Sequence, residues 1–192
     1  MRMKNTAVRS AVIVAILLIS LGIGYVYQEI CHKIDIQHHP IQYAEYVSRY
    51  AAEYGVPEYI LYAVIKTESD FDSSKLSENG EIGLMQISPD TFSKLLSMTK
   101  ESHDTGILYD PETNIRYGAY RLSYLYTEYS RWNTVFAAWK IGQDTVESWQ
   151  ADPALVDEMG NLTVIPEAEV ADYVESLNET MEMYRKLYYK ES

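Results

Sequence analysis

A single glutamate stands where an apolar residue is expected. Ile60, Leu61, Val64 and Ile65 recur at the spacing of one helix face. Continued, that stripe takes in positions 67, 68 and 69, and Glu68 is the middle one. Lys66 and Asp70 fall off it. A carboxyl that prolongs an apolar stripe at a helix end is partly desolvated, which disfavours the ionised form and raises the pKa. A carboxylic acid that keeps its proton near neutral pH can serve as a general acid. The plain alternative is a glutamate that turns out to solvent, since structural carboxylates are common at helix ends.

The other chemistry-bearing residue types offer less. Cys31 is the one cysteine, which excludes an internal disulfide framework, a cysteine-based zinc finger and an iron–sulfur cluster. His32, His38 and His39 cluster in a polar stretch without partners at helix spacing and read as solvated. Neither a metal nor an organic cofactor is implied. The net charge of -12 argues against sequence-independent nucleic-acid binding, which needs a basic face. With 47% hydrophobic residues the chain is too apolar to be disordered. The 18 tyrosines would suit a sugar-stacking cleft, but most fall at helical spacing, where packing with a wet phenolic tip accounts for them.

The elements that must position Glu68 read as helices. Pro40 is expected to open a helix carrying Tyr43, Val47, Tyr50, Ala51 and Tyr54, closed by Gly55. Pro57 opens the next, which ends near Glu68, and Asn79-Gly80 marks a turn. Ser88-Pro89 and Asp110-Pro111 are each an N-cap followed by proline at the first helical position. A long helix is expected from Pro111 to about Tyr129, and Asn133 is a candidate cap for one reaching the Gly142 region. From Pro166 onward Val170, Tyr173, Val174 and Leu177 are again in register. No segment alternates like a strand, and the expected fold class is all-α.

The N-terminus is set apart. Arg2, Lys4 and Arg9 precede an uncharged run from Ser10 to Gln28. As a helix that run would rise about 28 Å, close to the thickness of a hydrocarbon core. Bases before the run put residues 1–9 in the cytoplasm, 10–28 in the membrane as a single-pass anchor, and the remainder outside the cell membrane. Residues 29–39 read as a spacer and 40–190 as the working domain. A cleaved signal peptide is the alternative, but its apolar core would be shorter and followed by a small-x-small site. The first 29 residues hold three of the 16 bases and one of the 28 acids, so the expected ectodomain carries -14.

Glu68-Ser69 is followed by Ser77, Gly80, Gly83-Leu84-Met85-Gln86-Ile87 and Pro89. Further on stand Asp110-Pro111 with Asn114-Ile115 and Gly118, then Ala137-Ala138, then Pro166 with Glu169 and Tyr173-Val174. This ordered set resembles the catalytic domain of the lytic transglycosylases of the soluble, goose-lysozyme-like type, over roughly residues 40–190. The resemblance implies a lysozyme-like helical domain with a glycan-binding cleft. Its substrate would be the peptidoglycan glycan strand, cut between N-acetylmuramic acid and N-acetylglucosamine. Glu68 would be the single acid/base, leaving a 1,6-anhydromuramyl end. Ser77 would hydrogen-bond the substrate's N-acetyl group. Met85 and Gln86 would line the cleft, with core filling the alternative for Met85. Glu169 would help organise it, and Tyr173 would match the family's Tyr-Val tyrosine. Asn114, Ile115 and Gly118 would belong to a helix packing behind the site.

Two stretches depart from the family pattern. Ala137-Ala138-Trp139-Lys140-Ile141-Gly142 stands where the family usually has Ala-Ala-Tyr-Asn-Ala-Gly, and Ser88 replaces a methionine. Trp139 retains an aromatic face and an N–H donor but no acceptor, and Lys140 brings a cation within reach of a carboxylate. Two other functions stay open. A muramidase using water would need a second carboxylate, with Asp70, Asp72 and Glu81 nearby in sequence. An inactive, anchored glycan-binding or assembly factor is the other. Partners in the cell-envelope machinery are compatible with either, and the residues identify none.

Overall fold

The computed structural model describes residues 2–189, which fall into two units divided after Pro40. The first is one helix, α1 (Arg2–His38). It contains an 18-residue window of mean hydropathy 1.8, long and apolar enough to cross a membrane. Its apolar side chains, Leu18, Leu21 and Ile23 among them, are exposed. The expected spacer is thus helical as far as His38. The expected 1–9 segment starts at Met1 and the expected domain ends at Lys190, and both of these residues lie outside the described ones.

The second unit holds α2 (Ala44–Tyr54), α3 (Glu58–Ser69), α4 (Pro89–Thr99), a 3₁₀ turn (Thr105–Tyr109), α5 (Pro111–Tyr129), α6 (Trp132–Ile141), α7 (Gln143–Gln150) and α8 (Ala168–Tyr188). Among the described residues only isolated bridges interrupt this all-α pattern, such as Leu76 with Ile82 and Val156 with Leu162. Two helix starts differ from expectation. Pro40 does not open α2: Tyr43 takes a left-handed conformation (φ 56°), so the helix begins at Ala44. Proline disfavours helix in the residue before it, which fits α1 stopping at His38. Asn133 is not a cap, because the chain enters α6 from an extended Arg131. Its side chain accepts instead from Asn178 Nδ2 at 3.0 Å.

The caps at Ser88 and Asp110 are as the sequence indicates. Ser88 Oγ accepts from Thr91 N and Asp110 Oδ2 from Thr113 N, each with proline at the first helical position. Such caps contribute about 1 kcal/mol apiece.

Helix α3 is the centre of the unit. Ile60, Leu61, Tyr62, Ala63, Val64 and Ile65 are all buried. A helix apolar on every side must be enclosed by its neighbours. It packs on α8 and α2, while α5 packs on α2 and α6, and α6 on α8. Stacked Tyr62 and Tyr184, 5.4 Å apart, join α3 to α8, and Tyr54 meets Tyr120 edge-on between α2 and α5. Most of the buried tyrosines therefore pack helices together, as their spacing implies.

Asn114, in the first turn of α5, is buried and anchors two loops. Its Nδ2 donates to the carbonyls of Ile82 (2.9 Å) and Leu108 (2.8 Å), and its Oδ1 accepts from Met85 N (2.8 Å). One turn later Gly118 makes room for Met85, since a Cβ there would lie 2.1 Å from the Met85 sulfur. Met85 is therefore a buried plug between loop and helix, the core-filling alternative rather than a place in the cleft lining.

Asn114→Ala would strand one buried N–H and two buried carbonyls. We expect a loss of about 4 kcal/mol, read as a lowered urea midpoint for the full chain in detergent, whereas Asn133→Ala at an exposed position should cost little.

Candidate active site

Glu68 lies in the last turn of α3, half-buried, and its carboxyl is met from two other helices. Tyr173 of α8 donates its hydroxyl to Oε1 at 2.6 Å, and Trp139 of α6 donates its indole N–H to the same oxygen at 3.0 Å. No described hydrogen bond reaches Oε2. Burial is the largest influence on this carboxyl and raises its pKa. The two donors pull it back, Glu81's negative charge raises it further, and Lys140's positive charge lowers it; the net direction is up. Burial likewise pushes the Tyr173 phenol well up, so it remains a neutral donor.

The loop after α3 is held by polar contacts that explain much of its sequence. Ser69 Oγ donates to the Leu84 carbonyl at 2.7 Å, tying the end of α3 to the loop's return. Lys75 Nζ donates to the Glu68 backbone carbonyl. At Gly83 (φ 77°) a Cβ would sit 2.3 Å from the Leu108 carbonyl oxygen and 2.4 Å from Asn114 Nδ2, so no side chain fits. Gln86 is buried and donates Nε2 to the carbonyls of Gly83 (2.7 Å) and Lys75 (3.3 Å). Its amide closes the loop, and its burial there differs from the expected place in the cleft lining. Ser77 sits in the adjoining turn, where its hydroxyl accepts from Glu81 N (3.0 Å) and lies 3.1 Å from Glu81 Oε2.

The structure thus gathers Glu68, Trp139 and Tyr173, while the described side-chain hydrogen bonds of Ser77 go to Glu81. Glu169 does not join them through any described hydrogen bond; it is exposed in the first turn of α8. Lys140 makes no described ion pair with a carboxylate; its exposed chain places Nζ 5.2 Å from the centre of the Tyr173 ring, and its charge still acts on Glu68. Of the other acids, Asp70 is exposed and paired with Lys66, and Asp72 is exposed and accepts from Ser74. Glu81 is the nearby acid whose charge acts on Glu68.

Arg121 is a site neighbour that sequence reasoning missed. It lies on α5 with its guanidinium 4.3 Å over the Trp139 ring, and Nη2 donates to the Trp139 carbonyl at 3.0 Å. Burial holds its pKa down at about 10, still charged at neutral pH. A signal existed: Asn114, Gly118, Arg121 and Leu125 recur along one helix face, and a cation on a buried face is out of place.

A family model for the transglycosylase SLT domain matches residues 45–157. The chain belongs to this family. It is 32% identical over 144 residues to the soluble lytic murein transglycosylase of Escherichia coli strain K12, a match covering 72% of this chain and 22% of that protein. It is 28% identical over 169 residues to membrane-bound lytic murein transglycosylase C of Edwardsiella ictaluri, covering 76% and 47%. The crystal structure of the 70 kDa soluble lytic transglycosylase of Escherichia coli superposes with a TM-score of 0.71 at 28% identity, over 79% of this chain and 25% of the other. The chain therefore spans about a fifth of the length of its soluble relative. Within the SLT family the fold and the placement of Glu68 at the end of α3 follow the expectation from sequence.

Because Glu68's pKa is raised in the folded protein, its ionisation opposes folding as pH rises through that window. Glu68→Gln keeps an acceptor for both donors and removes the charge. Its melting temperature should exceed that of the parent at pH 8, and the gain should disappear toward pH 4, where the parent carboxyl is protonated. An equal change at both pH values would contradict the assigned direction.

Proposed function

We propose that this protein is a membrane-anchored peptidoglycan lytic transglycosylase that cleaves the β-1,4 bond between N-acetylmuramic acid and N-acetylglucosamine. The observation that carries the reading is the asymmetry of the Glu68 carboxyl. Both donors hold Oε1, so the acidic proton rides on Oε2, with burial favouring its retention. Membership of the SLT family and the names of its relatives support the substrate class.

In the first step Oε2–H protonates the glycosidic oxygen as its bond to the muramyl C1 breaks. Trp139 and Tyr173 stabilise the carboxylate left behind. That carboxylate then takes the proton of the sugar's own C6 hydroxyl as this oxygen bonds to C1, closing the 1,6-anhydro ring. Glu68 returns to its starting state and no water is consumed. General acid–base catalysis of this kind contributes about 100- to 10,000-fold, and the tethered nucleophile replaces a water that an inverting hydrolase must position. The exposure and outside engagements of Asp70 and Asp72 favour a mechanism without a second carboxylate.

The apolar stretch of α1, the bases before it and the membrane-bound relative support an anchor with the domain on the extracytoplasmic side, facing the wall. Alkaline carbonate should leave the full chain in the membrane pellet, and protease outside the cell should digest residues 41–189. Release by carbonate would overturn the anchor, and protection of the domain in cells whose wall admits the protease would overturn the orientation.

Mass spectrometry of fragments released from purified peptidoglycan by the full chain in detergent tests the chemistry. Fragments one water lighter than hydrolysis products are expected, with release reduced at least about 100-fold in Glu68→Gln. Full-weight reducing ends would make the protein a muramidase, with Glu81 the first base to mutate. No release by the folded protein would leave a glycan-binding factor.

A further inference from the structure

Two cations lie on the two aromatic side chains that hold Glu68. Arg121 of α5 stacks 4.3 Å over Trp139 and fixes that residue's backbone through hydrogen bonds to the carbonyls of Trp139 (3.0 Å) and Ala138 (3.4 Å). Lys140 of α6 places Nζ 5.2 Å from the centre of the Tyr173 ring. The far ends of the same two rings are the indole N–H and the phenol that donate to Oε1. The order cation, ring, donor, carboxylate therefore occurs twice, and neither cation is in a described ion pair with a carboxylate.

A half-buried guanidinium that meets backbone carbonyls and a ring is an expensive way to pack a helix. Its position has a use. A cation over a ring face draws electron density toward itself, which polarises an N–H or O–H on the ring edge and strengthens its hydrogen bond to an anion. It also locks the ring's orientation, and the hydrogen bond to a carboxylate depends on orientation.

We propose that Arg121 and Lys140 are positioning residues that act on Glu68 through Trp139 and Tyr173, each cation fixing one ring and strengthening the hydrogen bond that ring donates to Oε1. The proposal rests on the reading of Glu68 as the acid/base. It assigns the Trp139-Lys140 departure a purpose: the two cations hold the carboxylate state that forms after proton donation. The other charged or titratable groups facing Glu68 are Glu81 and Lys75 of the loop and Tyr173 of α8, and they are left unchanged in the test.

Glu68 can be titrated directly, with or without turnover. The full chain, in detergent micelles and carrying carbon-13 at the glutamate side-chain carboxyls, is followed by NMR against pH; the Glu68 signal is the one missing in Glu68→Gln. Arg121→Met and Lys140→Met should each move the Glu68 midpoint to higher pH, and Arg121→Lys should restore it toward the parent. In a Trp139→Phe background, which has no indole N–H, Arg121→Met should move the midpoint less than it does in the parent. The alkaline limb of wall-fragment release should follow the titration, whereas a merely structural loss would lower release evenly at all pH values. Folded variants with an unmoved midpoint would overturn the proposal, as would an Arg121→Met shift undiminished by Trp139→Phe. Should Arg121→Met not fold, the exposed Lys140→Met decides the matter by the same cycle. Its shift should shrink in a Tyr173→Phe background, which has no phenol to donate. A shift undiminished there would be direct charge–charge action and would overturn the proposal. Failure of all variants and parent to release fragments would count against the lytic reading alone, since the titration stands without it.

Discussion

One half-buried carboxyl, its described hydrogen bonds gathered on one oxygen, sets the conditions for the rest of the domain. In the proposed reaction Glu68 must be dry enough to keep its proton, yet its anion must be tolerable once the proton has left. Desolvation meets the first need and the donors Trp139 and Tyr173 meet the second, in opposition to each other. Three helices have to converge for this. The C-terminal turn of α3 carries the acid, the last turn of α6 brings the indole, and α8 brings the phenol. The packing of α3 on α8 and of α6 on α8 therefore serves the proposed chemistry as well as the core.

The loop between α3 and α4 bears the second constraint, since the acid stands at its root. Its shape depends on a few polar groups placed where no water can substitute for them. Asn114 supplies both donor and acceptor to the loop backbone, Ser69 and Gln86 close it from within, and Gly83 lets it approach α5 without a Cβ. Left-handed Asp70 and Phe71 (φ 53° and 66°) turn the chain sharply out of α3. Such conformations persist only where the surroundings fix them, and the buried Phe71 ring beside Tyr62 provides that fixing.

Much of this was legible in the residues. The apolar stripe of α3 placed Glu68, and Ser88-Pro89 and Asp110-Pro111 marked two helix starts because capping is a local event written in adjacent residues. Where the signal was long-range, reading stopped short. Nothing near Pro40 or Asn133 reveals that Tyr43 turns left-handed or that Arg131 is extended. Met85 and Gln86 looked like cleft residues by resemblance; only the three-dimensional approach of Gly118, and the carbonyls of Gly83 and Lys75, show what their side chains do. The Trp139-Lys140 stretch was readable as a departure from pattern. Its consequence was not, because the indole meets a carboxyl from a distant part of the chain and Arg121 comes from a third helix.

In the proposed reaction one carboxyl suffices because the nucleophile belongs to the substrate. Digestion of purified peptidoglycan by the full chain in water enriched with oxygen-18 tests it most directly. New muramyl ends without oxygen-18 are expected, since the C6 oxygen closes on C1. One oxygen-18 at each new end would show that water had attacked, and would contradict it.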